Sequence, residues 1–343
     1  MAKIRPSKGS PYARIMGVGG YRPTRVVPNE VILENIDSSD EWIRSRSGIA
    51  SRHWAGPEET VAEMSVIAAG KAIADAGISA EDIGGVIVAT VSHFKQTPAV
   101  ATEIAHRIGA GKPAAFDISA GCAGFTYAVT LAKGMVTEGS AKHVLVIGVE
   151  RLSDLTDKTD RATAFLFGDG AGAVIIGPAD EPEIGPTVWG SEGDKSNTIT
   201  QTVAWDRFRV GDVSQLPVGE DGELKFPAIT QEGQTVFRWA VFEMAKVAQE
   251  ALDAAGITAD DLDVFIPHQA NMRIIDSMIK ALKLPEHVAV ARDIETTGNT
   301  SAASIPLAME RLLATGQAKS GDTALIIGFG AGLVYAATVV TLP

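Results

Sequence analysis

The chain has 343 residues, of which 45% are hydrophobic and 21% charged, with a formal net charge of −12; this is about two domains of chain and too apolar for a disordered one. The acidic balance excludes generic nucleic-acid binding without a local basic patch. Cys122 is the single cysteine, which excludes an intrachain disulfide framework and any multi-cysteine metal site. No apolar run is long enough to span a membrane, and the polar, basic residues 1–9 carry no secretory pattern. A cytoplasmic protein without membrane or nucleic-acid partners is expected.

Short aliphatic runs bounded by Gly, Pro or Asp predict buried strands over 13–18, 86–90, 114–118, 144–148, 173–176, 264–267, 323–327 and 334–340. Between them, the patterns over 60–76 (closed by Gly77), 123–136 and 236–255 (closed by Gly256) predict helices. The alternation predicts a layered α/β fold with parallel strands, into which antiparallel ones can still be mixed. Residues 194–225, polar and charged with Trp205, Phe208 and Pro217, read as a long connecting excursion of the functional or mobile kind.

An internal repeat organises the chain. KAIADAGISAEDIGGVIVA (71–89) and EALDAAGITADDLDVFIPH (250–268) share a helix, a Gly-Ile turn, acidic capping residues and a buried strand at an offset of 179. A fainter echo relates 121–148 to 298–328 and, at an offset of 177, aligns Cys122 with Asn299. Two halves are expected, 1–182 with the cysteine and 183–343. The competing reading is that βα units resemble one another through shared physics.

Cys122 follows a predicted strand and opens a predicted helix between Gly121, Ala123 and Gly124. Unpaired N–H groups and the positive dipole end favour thiolate there, predicting a lowered pKa. A buried thiol acting as a small hydrophobe is the alternative. His268, in Ile266-Pro267-His268-Gln269-Ala270-Asn271, ends a strand, where active groups of α/β sheets gather; a hydrogen-bonded core histidine fits as well. Asn299 precedes a small-residue helix start and reads equally as an N-cap. The glycine clusters at 17–20, 168–172 and 328–332 contain no complete dinucleotide or Walker pattern. His53, His93, His106, His143 and His287 lack zinc-ligand spacing, so no metal is expected.

Several motifs together resemble the thiolase-fold condensing enzymes, and within them the 3-oxoacyl-(acyl-carrier-protein) synthase III family. They are Asp37-Ser38-Ser39-Asp40-Glu41-Trp42-Ile43, Ser45-Arg46-Ser47-Gly48-Ile49, Ala120-Gly121-Cys122-Ala123-Gly124-Phe125, Asp160-Arg161, Phe167-Gly168-Asp169-Gly170-Ala171-Gly172, Pro267-His268-Gln269-Ala270-Asn271, Gly298-Asn299-Thr300-Ser301-Ala302-Ala303-Ser304 and Phe329-Gly330-Ala331-Gly332. They run in family order over residues 37–332. The Cys-His-Asn set separates this type from elongating synthases, which use Cys-His-His.

The resemblance implies an α/β, thiolase-like five-layer αβαβα fold of two duplicated halves, as a homodimer. It implies that Cys122 takes an acyl group from acyl-CoA, and that malonyl-acyl-carrier protein then decarboxylates and its enolate attacks the acyl thioester. Products are 3-oxoacyl-carrier protein, CoA and CO2; no cofactor is required, acyl-CoA being a substrate. Cys122 and Ala331 N–H groups would form the oxyanion hole, although many members have glycine where Ala331 stands. His268 and Asn299 would donate to the malonyl thioester oxygen. Carry-over places CoA against Trp42, Arg46, Arg161, Phe237 and Asn271, and the carrier protein against Arg238, Gln269, Arg273 and Lys280. Thr97 falls where some members carry a bulky partner-subunit phenylalanine, implying room for branched or longer primers beside acetyl. A same-fold enzyme of a specialised polyketide pathway, a cysteine hydrolase and a non-catalytic acyl-CoA-binding protein are the alternatives.

Overall fold

A computed structural model describes residues 4–205 and 226–343; Phe208 and Pro217 of the expected excursion lie outside the described residues. The strands are β1 (Tyr12–Tyr21), β2 (Arg25–Pro28), β3 (Ser51–Trp54), β4 (Ile83–Ala89), β5 (Ala114–Ile118), β6 (His143–Arg151) and β7 (Asp169–Ala179), then β8 (Val188–Ser191), β9 (Ile199–Gln201), β10 (Ile229–Gln231), β11 (Val264–Pro267), β12 (Ala289–Val290), β13 (Thr323–Gly330) and β14 (Val334–Thr341). The helices are α1 (Asn29–Leu33), α2 (Asp40–Ser47), α3 (Val61–Ala76), α4 (Val100–Arg107), α5 (Gly124–Glu138), α6 (Gly233–Ala255), α7 (Met272–Leu282), α8 (Ile294–Thr297) and α9 (Ser304–Ala314).

The two large sheets have one topology. The first runs β1-β7-β6-β4-β5 and the second β8-β14-β13-β11-β12. In each, three neighbouring strands pair in parallel and the next two join through antiparallel pairings, so that only β7 and β14 run against the rest. Alternation along the strands splits the apolar residues between two faces. Ile87 and Val146 turn inward to a core shared with Phe125 and Val129 of α5, Ile305 and Met309 of α9, and Ile266 and Ile326 of the second sheet. Val86 and Val88 turn outward to α3 and α4. Phe265 and Leu325 turn outward to α6 and α7. The result is the five-layer αβαβα arrangement of two duplicated halves, with α5 and α9 between the sheets.

Local signals account for the helix ends. The Thr60 side chain accepts a 3.1 Å hydrogen bond from Glu63 N to open α3, and Gly77 closes it in the left-handed region at φ 64°. Gly256 ends α6 likewise at φ 73°. After Cys122 the expected helix is present, one residue later than the pattern places it. Residues Gly121–Ala123 form a tight turn and α5 begins at Gly124. The antiparallel pair β2–β3 and the short strands β8, β9, β10 and β12 are not expected from the sequence pattern. At two to four residues they offer no readable alternation.

The halves interlock through two glycines, one on each central strand. Cβ on Gly148 of β6 would fall 2.1 Å from Ala302 O, and Cβ on Gly328 of β13 would fall 2.9 Å from Ala123 Cα. Each strand thus admits the turn that carries the other half's site residues. Gly148→Ala is expected to cost at least about 2 kcal/mol, since the obstacle is backbone that cannot rotate away. Denaturant unfolding measures it, and an unchanged midpoint would contradict the interlock.

Candidate active site

A cavity of about 1090 Å³ opens between the halves, and its lining includes Cys122, His268, Asn299, Phe329, Gly330 and Ala331. Each reacting side chain stands just past a regular element. Cys122 lies in the turn after β5, His268 directly after β11, and Asn299 between α8 and the turn Ser301–Ala303. Carboxyl ends of strands of both sheets thus deliver groups to one place.

His268 is 2% exposed, and its N–H donates to Ile327 O at 2.7 Å. Its Nδ1 lies 2.7 Å from Ser304 Oγ, which also accepts from Gln269 N at 3.3 Å. If the Ser304 hydroxyl donates to Nδ1, every buried proton of this trio has an acceptor. That assignment puts the imidazole proton on Nε2. Burial pushes the His268 pKa down to about 3, so the ring is neutral at physiological pH and its Nε2–H is a neutral donor. In Asn299, Oδ1 accepts from Ser301 N at 2.8 Å. A backbone N–H can only donate, so the amide is oriented and Nδ2 remains to donate elsewhere. Asn299 is held by two further bonds, N to Leu166 O (2.8 Å) and O from Gly168 N (3.0 Å).

The environment of Cys122 corrects the expected thiolate. Burial pushes the thiol up to about 12; a hydrogen bond with the Ser301 side chain opposes this, and the Glu150 carboxylate adds to it. Desolvation outweighs the helix start, so the resting group is a thiol. The backbone around it is tight. A Cβ at Gly330 would lie 2.9 Å from Cys122 Sγ and 3.0 Å from Cys122 N, and one at Gly121 would lie 3.3 Å from Ala331 N. The Cys122 and Ala331 N–H groups therefore sit on adjoining segments beside the sulfur.

The repeat register also needs correction. Gly121 at φ 47° opens the turn before α5, and Ser301 at φ 48° opens the turn before α9. The structural offset is 180, so Cys122 corresponds to Ala302 and Asn299 stands three residues earlier.

The cavity mouth carries most of the other expected residues. Trp42 packs edge-on against Phe165 at 5.6 Å. The Arg161 guanidinium lies 5.3 Å from the Trp42 ring centroid and that of Arg46 lies 6.0 Å away. A base stacked between Trp42 and Arg161 needs twice a contact distance of about 3.5 Å, so Arg161 must swing outward by about 2 Å. Phe237 lines the wall beneath the Arg273 guanidinium at 4.8 Å, with exposed Arg238 beside it. Asn271 lines the wall too, but its amide is engaged: Nδ2 donates to Arg46 O and Oδ1 accepts from Arg273 N. Lys280 is exposed on α7, away from the cavity lining. Thr97 is exposed and does not line this chain's cavity, so the expected acyl-pocket role is not met within one chain.

Gln269 is corrected. It is fully buried, its Nε2 donates to Pro267 O and Ala291 O, and its Oε1 accepts from Ile294 N. It braces the loop behind His268 and presents nothing to a docking protein.

Three polar residues of the site were given no role by the sequence reading: Glu150, and Ser301 and Ser304 of the motif at 298–304. The signal for Glu150 was a lone carboxylate closing the apolar strand HVLVIGVER. Arg52 escaped as well. Fully buried, it donates to Val27 O, Asn29 Oδ1 and Phe165 O, fixing the aromatic wall under Trp42. Among the described residues no group of three His, Cys, Asp or Glu is placed to hold a metal, and no helix is long and apolar enough to cross a membrane.

Comparison with known proteins supplies the relatives. A family model described as 3-oxoacyl-[acyl-carrier-protein] synthase III matches residues 116–193, and one for its C-terminal part matches 252–342. The chain is 82% identical over 343 residues to a β-ketoacyl-[acyl-carrier-protein] synthase III of Streptomyces coelicolor, with 100% of both covered. It is 52% identical to the mycobacterial β-ketoacyl-[acyl-carrier-protein] synthase III of Mycobacterium marinum, covering 100% of this chain and 99% of that one. Among solved structures, a priming β-ketosynthase of a polyketide biosynthetic pathway superposes with a TM-score of 0.94 at 45% identity, covering 100% and 99%. The synthase III of Aquifex aeolicus superposes at 0.84 and 36% identity, covering 96% and 99%.

Proposed function

The chain belongs to the 3-oxoacyl-(acyl-carrier-protein) synthase III family of condensing acyltransferases, and from that premise we propose its reaction in detail. An acyl-CoA primer, acetyl or short branched, transfers its acyl group to Cys122. Malonyl-acyl-carrier protein then decarboxylates, and its α-carbon attacks acyl-Cys122 to give 3-oxoacyl-carrier protein, with CoA and CO2 released. The observation that carries this reading is the meeting of Cys122, His268 and Asn299 in one cavity. A sulfur nucleophile and two neutral donors are what a thioester relay followed by enolate formation needs.

In the first step the tetrahedral oxyanion lies between the Cys122 and Ala331 N–H groups. In the second, His268 Nε2–H and Asn299 Nδ2–H hold the malonyl thioester oxygen as it gains charge. Loss of CO2 generates the carbon nucleophile, so no strong base is required. Thioester exchange and decarboxylation transfer no electrons, and the reaction as written needs no cofactor. Trp42, Arg46, Arg161, Phe237 and Asn271 would line the CoA path. Arg238, Arg273 and Lys280 would give the carrier protein a local basic face despite the net charge of −12. We place the halves at 1–182 and 183–343 and the working form as a cytoplasmic homodimer. A second reading, priming of a specialised polyketide pathway, is favoured by the similarity to the priming β-ketosynthase.

The test is 3-oxoacyl-carrier-protein formation from malonyl-carrier protein with acetyl-, isobutyryl-, isovaleryl- and long-chain CoA. Product from acetyl and branched primers is expected. Thr97→Phe is expected to cut branched-primer turnover about tenfold relative to acetyl, as expected for pocket volume removed from the larger substrate. No product from any primer, despite acylated Cys122, would point to a different acceptor. Acetyl-CoA as the sole active primer would refute the wide pocket.

A further inference from the structure

We propose that Glu150 takes the Cys122 thiol proton through the Ser301 hydroxyl during acyl transfer, and holds it until the thiolate is regenerated. This rests on the acyl-Cys122 reading above. Glu150, the penultimate residue of β6, is fully buried. Its Oε2 accepts from Ser92 Oγ at 2.6 Å, Val91 N at 3.1 Å and Thr90 Oγ1 at 3.3 Å, and its Oε1 from Ser301 Oγ at 3.2 Å. The Ser301 side chain lines the cavity with Cys122 and lowers the thiol pKa against burial. The Ser301 hydroxyl, bonded to Glu150 and lining the cavity with Cys122, stands between the sulfur and a buried carboxylate.

The backbone gives independent support. Ser301 holds φ 48°, a conformation that costs a non-glycine residue about 1 kcal/mol or more, while the other half places Gly121 at the equivalent point. A glycine would meet the conformation without strain but would break the path. The charged neighbours leave Glu150 without a cation. Arg151, next on β6, pairs with Asp154 at 2.9 Å. On β7, Gly170 lies opposite, and the adjacent Asp169 accepts from Ala55 N and from Ser153. The stretch 90–92 contributes only neutral donors. Cys122 is the titratable group that faces Glu150 across Ser301. With no cation beside it, burial pushes Glu150 up to about 7 against the hydrogen bonds from Ser92, Val91, Ser301 and Thr90, which lower it. His268 is a poor acceptor, since Ser304 occupies Nδ1 and Nε2 carries the proton.

The protons and charges balance over the cycle. As the sulfur attacks the acyl-CoA carbonyl, its proton passes to Ser301 Oγ and the Ser301 proton passes to Glu150 Oε1. The tetrahedral intermediate expels CoA thiolate, which takes a proton from solvent. Glu150 is then a neutral acid beside the acyl-enzyme. After the malonyl-derived carbon attacks acyl-Cys122, the C–S bond breaks, and the departing Cys122 thiolate recovers its proton through Ser301.

The experiment is rapid-quench acylation of the full chain by acyl-CoA without malonyl-carrier protein, read as acyl mass on Cys122 and CoA release between pH 5 and 9. For the unaltered protein the rate is expected to rise with pH through a midpoint near 7. Glu150→Gln should acylate about 100-fold more slowly, within the usual range for loss of a positioned base, and lose that midpoint. Glu150→Asp should restore the midpoint in part. Ser301→Ala breaks the path while leaving the bonds of Glu150 to 90–92 in place, and should behave like Glu150→Gln; it decides the matter if Glu150→Gln does not fold. Acylation by either folded variant at the unaltered rate and midpoint would overturn the proposal. Failure of the unaltered protein to gain acyl mass on Cys122 would overturn the acyl-enzyme reading itself, and this inference with it.

Discussion

Cys122→Ala is expected to abolish 3-oxoacyl-carrier-protein formation, with a loss on the order of 10⁶-fold, the scale seen when a covalent nucleophile is removed. Alanine offers no atom that can accept the acyl group, so the first step has no residual route. The rest of the site should survive, because the Cys122 N–H belongs to the backbone and His268 and Asn299 are held by bonds that do not involve the sulfur. Malonyl-carrier protein should therefore still release CO2 in the variant, uncoupled from carbon–carbon bond formation. Product formation and CO2 release, measured side by side, test both halves. A variant that still makes product would end the acyl-Cys122 reading. One that loses both activities while keeping its unfolding midpoint would show that decarboxylation depends on the sulfur, against the division of labour proposed here.

Much of this architecture is legible in the amino-acid sequence. The runs 114–118 and 264–267 coincide with β5 and β11, because apolar stretches ended by turn residues leave few alternatives. Cys122 and His268 stand out at the ends of those strands. Gly77 and Gly256 end α3 and α6 as predicted, since left-handed closure favours glycine. The failures are physical too. Burial at the bottom of a cavity reverses the expected shift of the Cys122 pKa, and burial is a tertiary property that no local window contains. The motif singles out Gln269 for docking, yet its three hydrogen bonds face inward. The repeat misaligns Cys122 and Asn299 because the turns match in backbone conformation, Gly121 with Ser301, and not in residue type.

His268→Ala and Asn299→Ala are each expected to slow condensation by about 10²–10³-fold, equivalent to about 2.7–4 kcal/mol for one lost oxyanion donor. Acyl transfer to Cys122 should be little changed, because its oxyanion is held by backbone N–H groups. The double variant should lose less than the product of the two single effects, since both donors serve one oxygen. The pH profile distinguishes donor from base. With its pKa pushed down to about 3, His268 does not titrate between pH 5 and 9, so condensation from preformed acyl-enzyme should show no histidine inflection there. A loss of rate below about pH 6.5 that vanished in His268→Ala would instead assign the histidine to proton removal. Ser304→Ala refines the test. Without that hydroxyl the imidazole proton is free to move to Nδ1, leaving Nε2 as an acceptor aimed at a developing anion. Condensation should fall about tenfold with acyl transfer intact, and an unaffected condensation rate would show that Ser304 does not set the tautomer. The same burial acts on stability: His268 is neutral when folded and protonated when unfolded below its ordinary value of 6.5. Its contribution is therefore lost as pH falls from 6.5 toward 3, and His268→Ala should flatten the acid limb of the unfolding curve over that window.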